Sequence, residues 1–95
     1  MNPVAEQFGR NAARLRERAG LSQEEAGVRA NLHRTEISQI ERGMRCPKAD
    51  TIVKLAGTLG AYPGEFFEGI EWIPAEIQRG HFGRTQATTA VAEQV

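Results

Sequence analysis

Cysteine, aromatic residues, long apolar runs and net charge are all scarce in this chain, and each scarcity excludes something. Cys46 is the single cysteine, so no internal disulfide can form and a reducing cytoplasm is the expected compartment. The Arg45-Cys46-Pro47 stretch is expected on a loop, with the thiol a solvent-facing bystander and an intermolecular role left open. No run of 18 apolar residues occurs, which excludes a membrane-crossing helix. Glu6, Arg10 and Arg14 interrupt the charged-then-apolar layout that a signal peptide would need. His33 and His81 are the only histidines, without a nucleophile-and-acid arrangement, a third metal ligand or a glycine-rich phosphate loop. Enzymatic chemistry, a metal site and a cofactor are therefore not expected.

The 12 basic and 12 acidic residues cancel, but they are unevenly placed. Residues 1–48 hold nine Arg or Lys against six acids, and residues 49–95 hold three against six. A neutral total with a basic first half fits a small domain that presents one cationic face to phosphates.

What is present is helical punctuation. Val4, Phe8, Ala12 and Leu15 recur at helical period and predict a first helix over about Pro3 to Arg18, stopped by Gly20. Ser22 with Glu25 reads as a capping box opening a second helix, Gln23 to Ala30, and Asn31 suits the left-handed turn after it. A third helix, about Arg34 to Arg42, carries Ile37 and Ile40 inward and ends at Gly43. Ile52, Leu55, Ala56 and Leu59 predict a fourth over Ala49 to Leu59, with Gly60 as its stop. Pro63 suits the start of a short fifth helix holding Phe66 and Phe67. Beyond Gly69, Ile70-Glu71-Trp72-Ile73 and His81-Phe82, around an Arg79-Gly80 turn, read as a strand or hairpin. Trp72, Ile73 and Phe82 then need a surface, either their own domain or, preferably, a second subunit. Residues 85–95 have no firm period and are expected to be unstructured. The expected architecture is all-α, with a five-helix domain over residues 1–69 and an extended tail over 70–84.

On the third helix, Arg34, Thr35, Ser38 and Gln39 lie away from the apolar face. Arg can pair with both guanine acceptors, Gln with adenine, and the Thr methyl with thymine; each good bidentate pair gives about 1–3 kcal/mol of discrimination.

Taken together, Leu21-Ser22-Gln23-Glu24-Glu25, Ile37 to Gly43, Pro47, Asp50-Thr51-Ile52, Leu55 to Gly60 and Glu65-Phe66-Phe67 resemble the lambda-repressor and Cro-like (xenobiotic-response-element) family of helix-turn-helix regulators. The resemblance spans roughly residues 5–68. It implies that His33, Arg34, Thr35, Ser38 and Gln39 read bases, and that Gln23 meets a phosphate and braces the first reading residue. Arg42, Arg45 and Lys48 follow the third helix closely and are expected to grip phosphates on one side of the groove. Arg10 and Arg14 are weaker candidates, as likely to be plain solvated charges. Arg16 and Glu41 match a structural ion pair in related folds. Glu36 either braces Arg34 or repels phosphate. The chain departs from the family at Ala26, Gly27, Asn31, His33 and Lys48, which bears on stability rather than on fold. The implied activity is regulation of transcription, expected as repression by a homodimer on a short palindrome in duplex DNA. The alternative is an antitoxin or a protein-interaction cofactor on the same fold, with the Trp72–Phe82 tail as partner surface.

Overall fold

The computed structural model describes residues 2–75 and 80–83. The expected lack of structure over residues 85–95, and Arg79 of the expected turn, lie outside the described residues. Helix α1 spans Pro3–Arg18, α2 Gln23–Ala30, α3 Arg34–Glu41 and α4 Ala49–Leu59. A 3₁₀ turn over Pro63–Phe67 and two short strands, β1 at Glu71–Ile73 and β2 at His81–Gly83, complete the order.

Local chemistry explains most boundaries. Asn2 caps α1 by accepting from the Val4 and Ala5 amides. At α2 the capping box is formed in both directions: Ser22 Oγ accepts from Glu25 N at 3.0 Å, and Glu25 Oε1 accepts from Ser22 N at 2.9 Å. Asn31 takes the left-handed conformation, φ 56°, that redirects the chain toward α3. No side-chain hydrogen bond caps α4, whose N-cap position is Lys48.

Two expectations are corrected. The fifth helical element is a five-residue 3₁₀ turn and not an α-helix, so the fold is four α-helices plus a two-stranded sheet rather than five helices. Its bonds run from Glu65 N to Tyr62 O and Glu68 N to Glu65 O, the i to i−3 spacing. Gly69, at φ 83°, ends it before a longer ladder can form. Helix α3 stops at Glu41, because Arg42 has moved to φ −86°, ψ 2°.

The core is shared by all helices. Phe8, Leu15, Ile40 and Phe66 are its largest fully buried side chains, with Ile37, Leu55 and Leu59 around them. The Phe8 and Phe66 rings stack at 5.2 Å, and Phe67 meets Phe8 edge-on at 5.4 Å. Ala5, not Val4, is the first fully buried residue of α1. Gly9 lets α1 and α3 touch at backbone distance: a β-carbon there would lie 2.4 Å from Ile40 O.

A polar clamp ties the 3₁₀ turn to α1. Buried Asn11 donates its amide to Phe66 O and Glu68 O, each at 2.9 Å, and accepts from Gln7 Nε2 at 3.0 Å. Both of its N–H donors and its carbonyl oxygen thus have partners, which is what makes burying an amide affordable. The clamp fixes where the chain leaves the bundle for β1. There Trp72 pairs with Phe82 across the antiparallel strands.

Candidate nucleic-acid interface

Helix α3 buries Ile37 and Ile40 and leaves the opposite side open. Arg34 and Thr35 are exposed, while Ser38 and Gln39 are partly covered at the edge of the same face. This follows from helical spacing: residues 37 and 40 share the inner stripe, and 35, 38 and 39 fall opposite it.

The helix is held at its C-terminal end. Arg16 donates Nε to Glu41 Oε2 at 2.6 Å and Nη2 to Glu41 Oε1 at 3.0 Å, a two-point fork. Its remaining terminal nitrogen, Nη1, donates to Leu21 O at 2.8 Å, so one guanidinium joins α1, the start of α2 and the end of α3. The side chains retain only 16% and 8% of their exposure. Hydrogen bonding to Glu41 raises the pKa of Arg16 above its ordinary value, against the opposing effect of burial.

Gln23 joins this cluster. Its Nε2 donates to Glu41 Oε1 at 3.1 Å, rather than bracing Arg34 at the head of α3. Glu41 lies at the C-terminal end of α3 and has an acceptor oxygen within reach after Arg16 is seated. Gln23 itself is half-buried as the first residue of α2.

His33, at a position where a hydroxyl cap is usual, does cap α3: Nδ1 accepts from Thr35 N at 3.1 Å. Glu36 takes Arg45, not Arg34, with Nη1 3.3 Å from Oε2. Arg42 is exposed and donates Nε to Ser38 O at 3.4 Å. Lys48 is exposed just before α4. The structure thus gathers Arg34, Arg42, Arg45 and Lys48 around α3.

The charges of α1 are directed elsewhere. Arg14 meets Glu68 at 3.1 Å and Arg18 meets Glu65 at 3.0 Å, while Arg10 donates to Gln7 Oε1 at 2.9 Å. Two acids from the second half of the chain therefore answer cations on α1, away from α3. Neutrality overall and a cationic surface around α3 are compatible for this reason.

Trp72 and Phe82 form an edge-on pair at 5.1 Å, and with Ile73 they keep 54%, 48% and 37% of their exposure. The hairpin satisfies its own pairing yet leaves apolar surface uncovered. Cys46 is exposed, and its sulfur accepts from Asn2 Nδ2 at 3.3 Å. Among the described residues no group of three His, Cys, Asp or Glu side chains could hold a metal ion. Nor is any described helix long and apolar enough to cross a membrane.

Asn11 and Gly9 support this arrangement without having been singled out in the sequence. Asn11 could have been noticed as a polar residue three positions after Phe8, inside the apolar stripe. Gly9 carried no such signal, since its need is set by the α3 backbone opposite.

Comparison with known proteins agrees with this geometry. A helix-turn-helix family model, HTH_3, matches residues 13–67. Control protein C.BamHI of Bacillus amyloliquefaciens is 37% identical over 62 residues, covering 64% of this chain and 76% of that protein. An HTH-type transcriptional regulator, y4dJ, of Sinorhizobium fredii is 44% identical over 52 residues, covering 55% and 68%. The crystal structure of the restriction-modification controller protein C.AhdI from Aeromonas hydrophila superposes with TM-score 0.64 at 36% identity, covering 66% of this chain and 96% of that one.

Proposed function

Because the chain belongs to the HTH_3 helix-turn-helix family, a class of DNA-binding transcriptional regulators and not of enzymes, we propose that it reads a short palindromic operator as a homodimer and represses transcription there. Residues 1–69 form the reading domain and residues 70–84 the dimerisation element. The compartment is the cytoplasm of a bacterium or phage. Since C.BamHI and C.AhdI are named as controllers, and C.AhdI as one of restriction-modification, the regulated genes are those of such a system.

The observation that carries this reading is the open outer face of α3, set on a helix whose C-terminal end is clamped to α1 by Arg16 and Glu41. A reading helix must be rigid, because base discrimination depends on donors and acceptors meeting a fixed pattern in the groove. Arg34 pairs with guanine, Gln39 with adenine and Thr35 with a thymine methyl, with His33 and Ser38 completing the contact. Gln23, through its place at the start of α2, and Arg42, Arg45 and Lys48 meet phosphates on either side. In a two-fold dimer, half-sites lie about one helical turn, roughly 10 bp, apart.

Selection of bound sequences from a random duplex pool tests the proposal. A palindromic consensus, bound with an affinity that falls steeply with salt, is the expected result. Arg34→Ala should then relax preference at one base position in each half-site, whereas loss of a phosphate contact would weaken all sequences alike. No duplex binding at low salt would leave the protein-interaction alternative, for which the exposed Trp72, Ile73 and Phe82 side chains would be the surface.

A further inference from the structure

We infer that His33 has two jobs on its two ring nitrogens: Nδ1 caps α3, and Nε2 donates a hydrogen bond to an acceptor atom on the DNA. This rests on the reading of α3 as the recognition helix.

The assignment comes from the cap. Thr35 N is a backbone donor and can only donate, so Nδ1, 3.1 Å away, must present a lone pair. A neutral imidazole that accepts on one nitrogen carries its proton on the other. The proton is therefore on Nε2, at the opposite edge of an exposed ring. A Ser or Thr cap still has its O–H to donate, but the short side chain keeps that donor against the first turn of the helix. Imidazole instead extends past the capped amides and carries a donor beyond them, immediately before Arg34.

The consequence is a restricted choice of partner. With Nδ1 committed to Thr35 N, the ring has no acceptor left for DNA. It suits guanine N7 or O6, adenine N7, thymine O4 or a phosphate oxygen. It does not suit the amino groups of cytosine or adenine. The helix cap thus sets the hydrogen-bonding sense of a side chain at the front of the recognition helix. Because the cap also orients the ring, the donor is held in place before DNA arrives, which lowers the entropy lost on contact.

The test uses the full chain and the operator obtained by selection. Nitrogen-15 spectra of the histidine side chains should show His33 neutral with its proton on Nε2; a proton on Nδ1 would overturn the inference. His33→Ser keeps a good N-cap but removes the outer donor. Its melting temperature and helix content should match the parent, while operator affinity falls about three- to tenfold, the worth of one hydrogen bond. His33→Ala should lose both thermal stability and affinity.

The pattern of the loss locates the acceptor. Weakening confined to sequences with one particular base pair places it on a base edge. Uniform weakening with an unchanged salt slope places it on a phosphate, because a neutral donor releases no counterion. Both outcomes support the donor role. Parent-like binding by His33→Ser removes that role while leaving the DNA-reading proposal intact. Failure of the parent protein to bind any duplex would remove both.

Discussion

Arg16 and Glu41 stand 25 residues apart in the chain and meet through two hydrogen bonds, at 2.6 and 3.0 Å. Their fork closes the C-terminal end of α3 onto α1. Because both side chains are largely buried, removing either leaves a charge in the interior without its partner. Arg16→Ala or Glu41→Ala should cost about 3–5 kcal/mol of folding stability, measured by urea denaturation. Replacing both together with apolar residues of similar volume should recover much of that loss. A single variant within about 0.5 kcal/mol of the parent, the range of an ordinary surface substitution, would show that the pair does not hold the helices together.

Three glycines should respond in opposite directions to alanine. At Gly9 the new β-carbon would sit 2.4 Å from Ile40 O and 2.7 Å from Glu41 O; at Gly27 it would sit 2.7 Å from Leu32 O. These are backbone atoms that cannot step aside without moving α3 or the turn that leads into it. Gly9→Ala and Gly27→Ala should each destabilise by about 1–3 kcal/mol despite the better helix propensity of alanine. Gly57 lies within α4 with nothing within 4 Å of the same position. Gly57→Ala should stabilise by up to about 1 kcal/mol. Parallel thermal melts decide it, and a stabilised Gly9→Ala would contradict the close α1–α3 approach.

Two carboxylates should couple stability to acid. Hydrogen bonds from the Ser22 backbone and side chain hold Glu25 below its ordinary 4.5. Glu65 is likewise lowered, first by its bond with Arg18 and then by the Tyr62 amide. A pKa depressed in the folded state means that the unfolded chain takes up protons first. The stabilisation is present above the unfolded value and is lost as pH falls through the folded one. Melting temperature should therefore decline as pH drops below about 4.5, the unshifted carboxylate value, and Glu25→Gln and Glu65→Gln should each flatten the decline. An acid limb of equal slope in both variants would assign it to other carboxylates.

The hairpin predicts an effect on assembly without an effect on the bundle. Trp72→Ala and Phe82→Ala remove an edge-on pair whose members remain about half exposed in one chain. In sedimentation experiments both variants should shift the protein toward monomer, while helical circular dichroism stays unchanged. Operator affinity should fall with the dimer, since two half-sites would no longer be bound as one unit. Retention of the parent's association state would direct the search for a dimer surface elsewhere on the bundle.

The sequence by itself determined the helices, because their signals are local. The ends of α1, α2 and α4 were legible in apolar spacing, in Ser22 with Glu25, and in Gly20, Asn31 and Gly60, none of which depends on a distant partner. The outward set Arg34, Thr35, Ser38 and Gln39 was legible for the same reason, being the complement of Ile37 and Ile40. Tertiary structure decided what depends on residues far apart in the chain. It sent the Gln23 amide to Glu41 and Glu36 to Arg45, since only folding brings those groups within hydrogen-bond reach. It made Asn11 a clamp on the Phe66 and Glu68 carbonyls, and Gly9 a contact point for the α3 backbone. It also ended the Pro63–Phe67 segment as a 3₁₀ turn, where packing of Phe66 into the core and the reversal at Gly69 leave no room for an α-helical ladder.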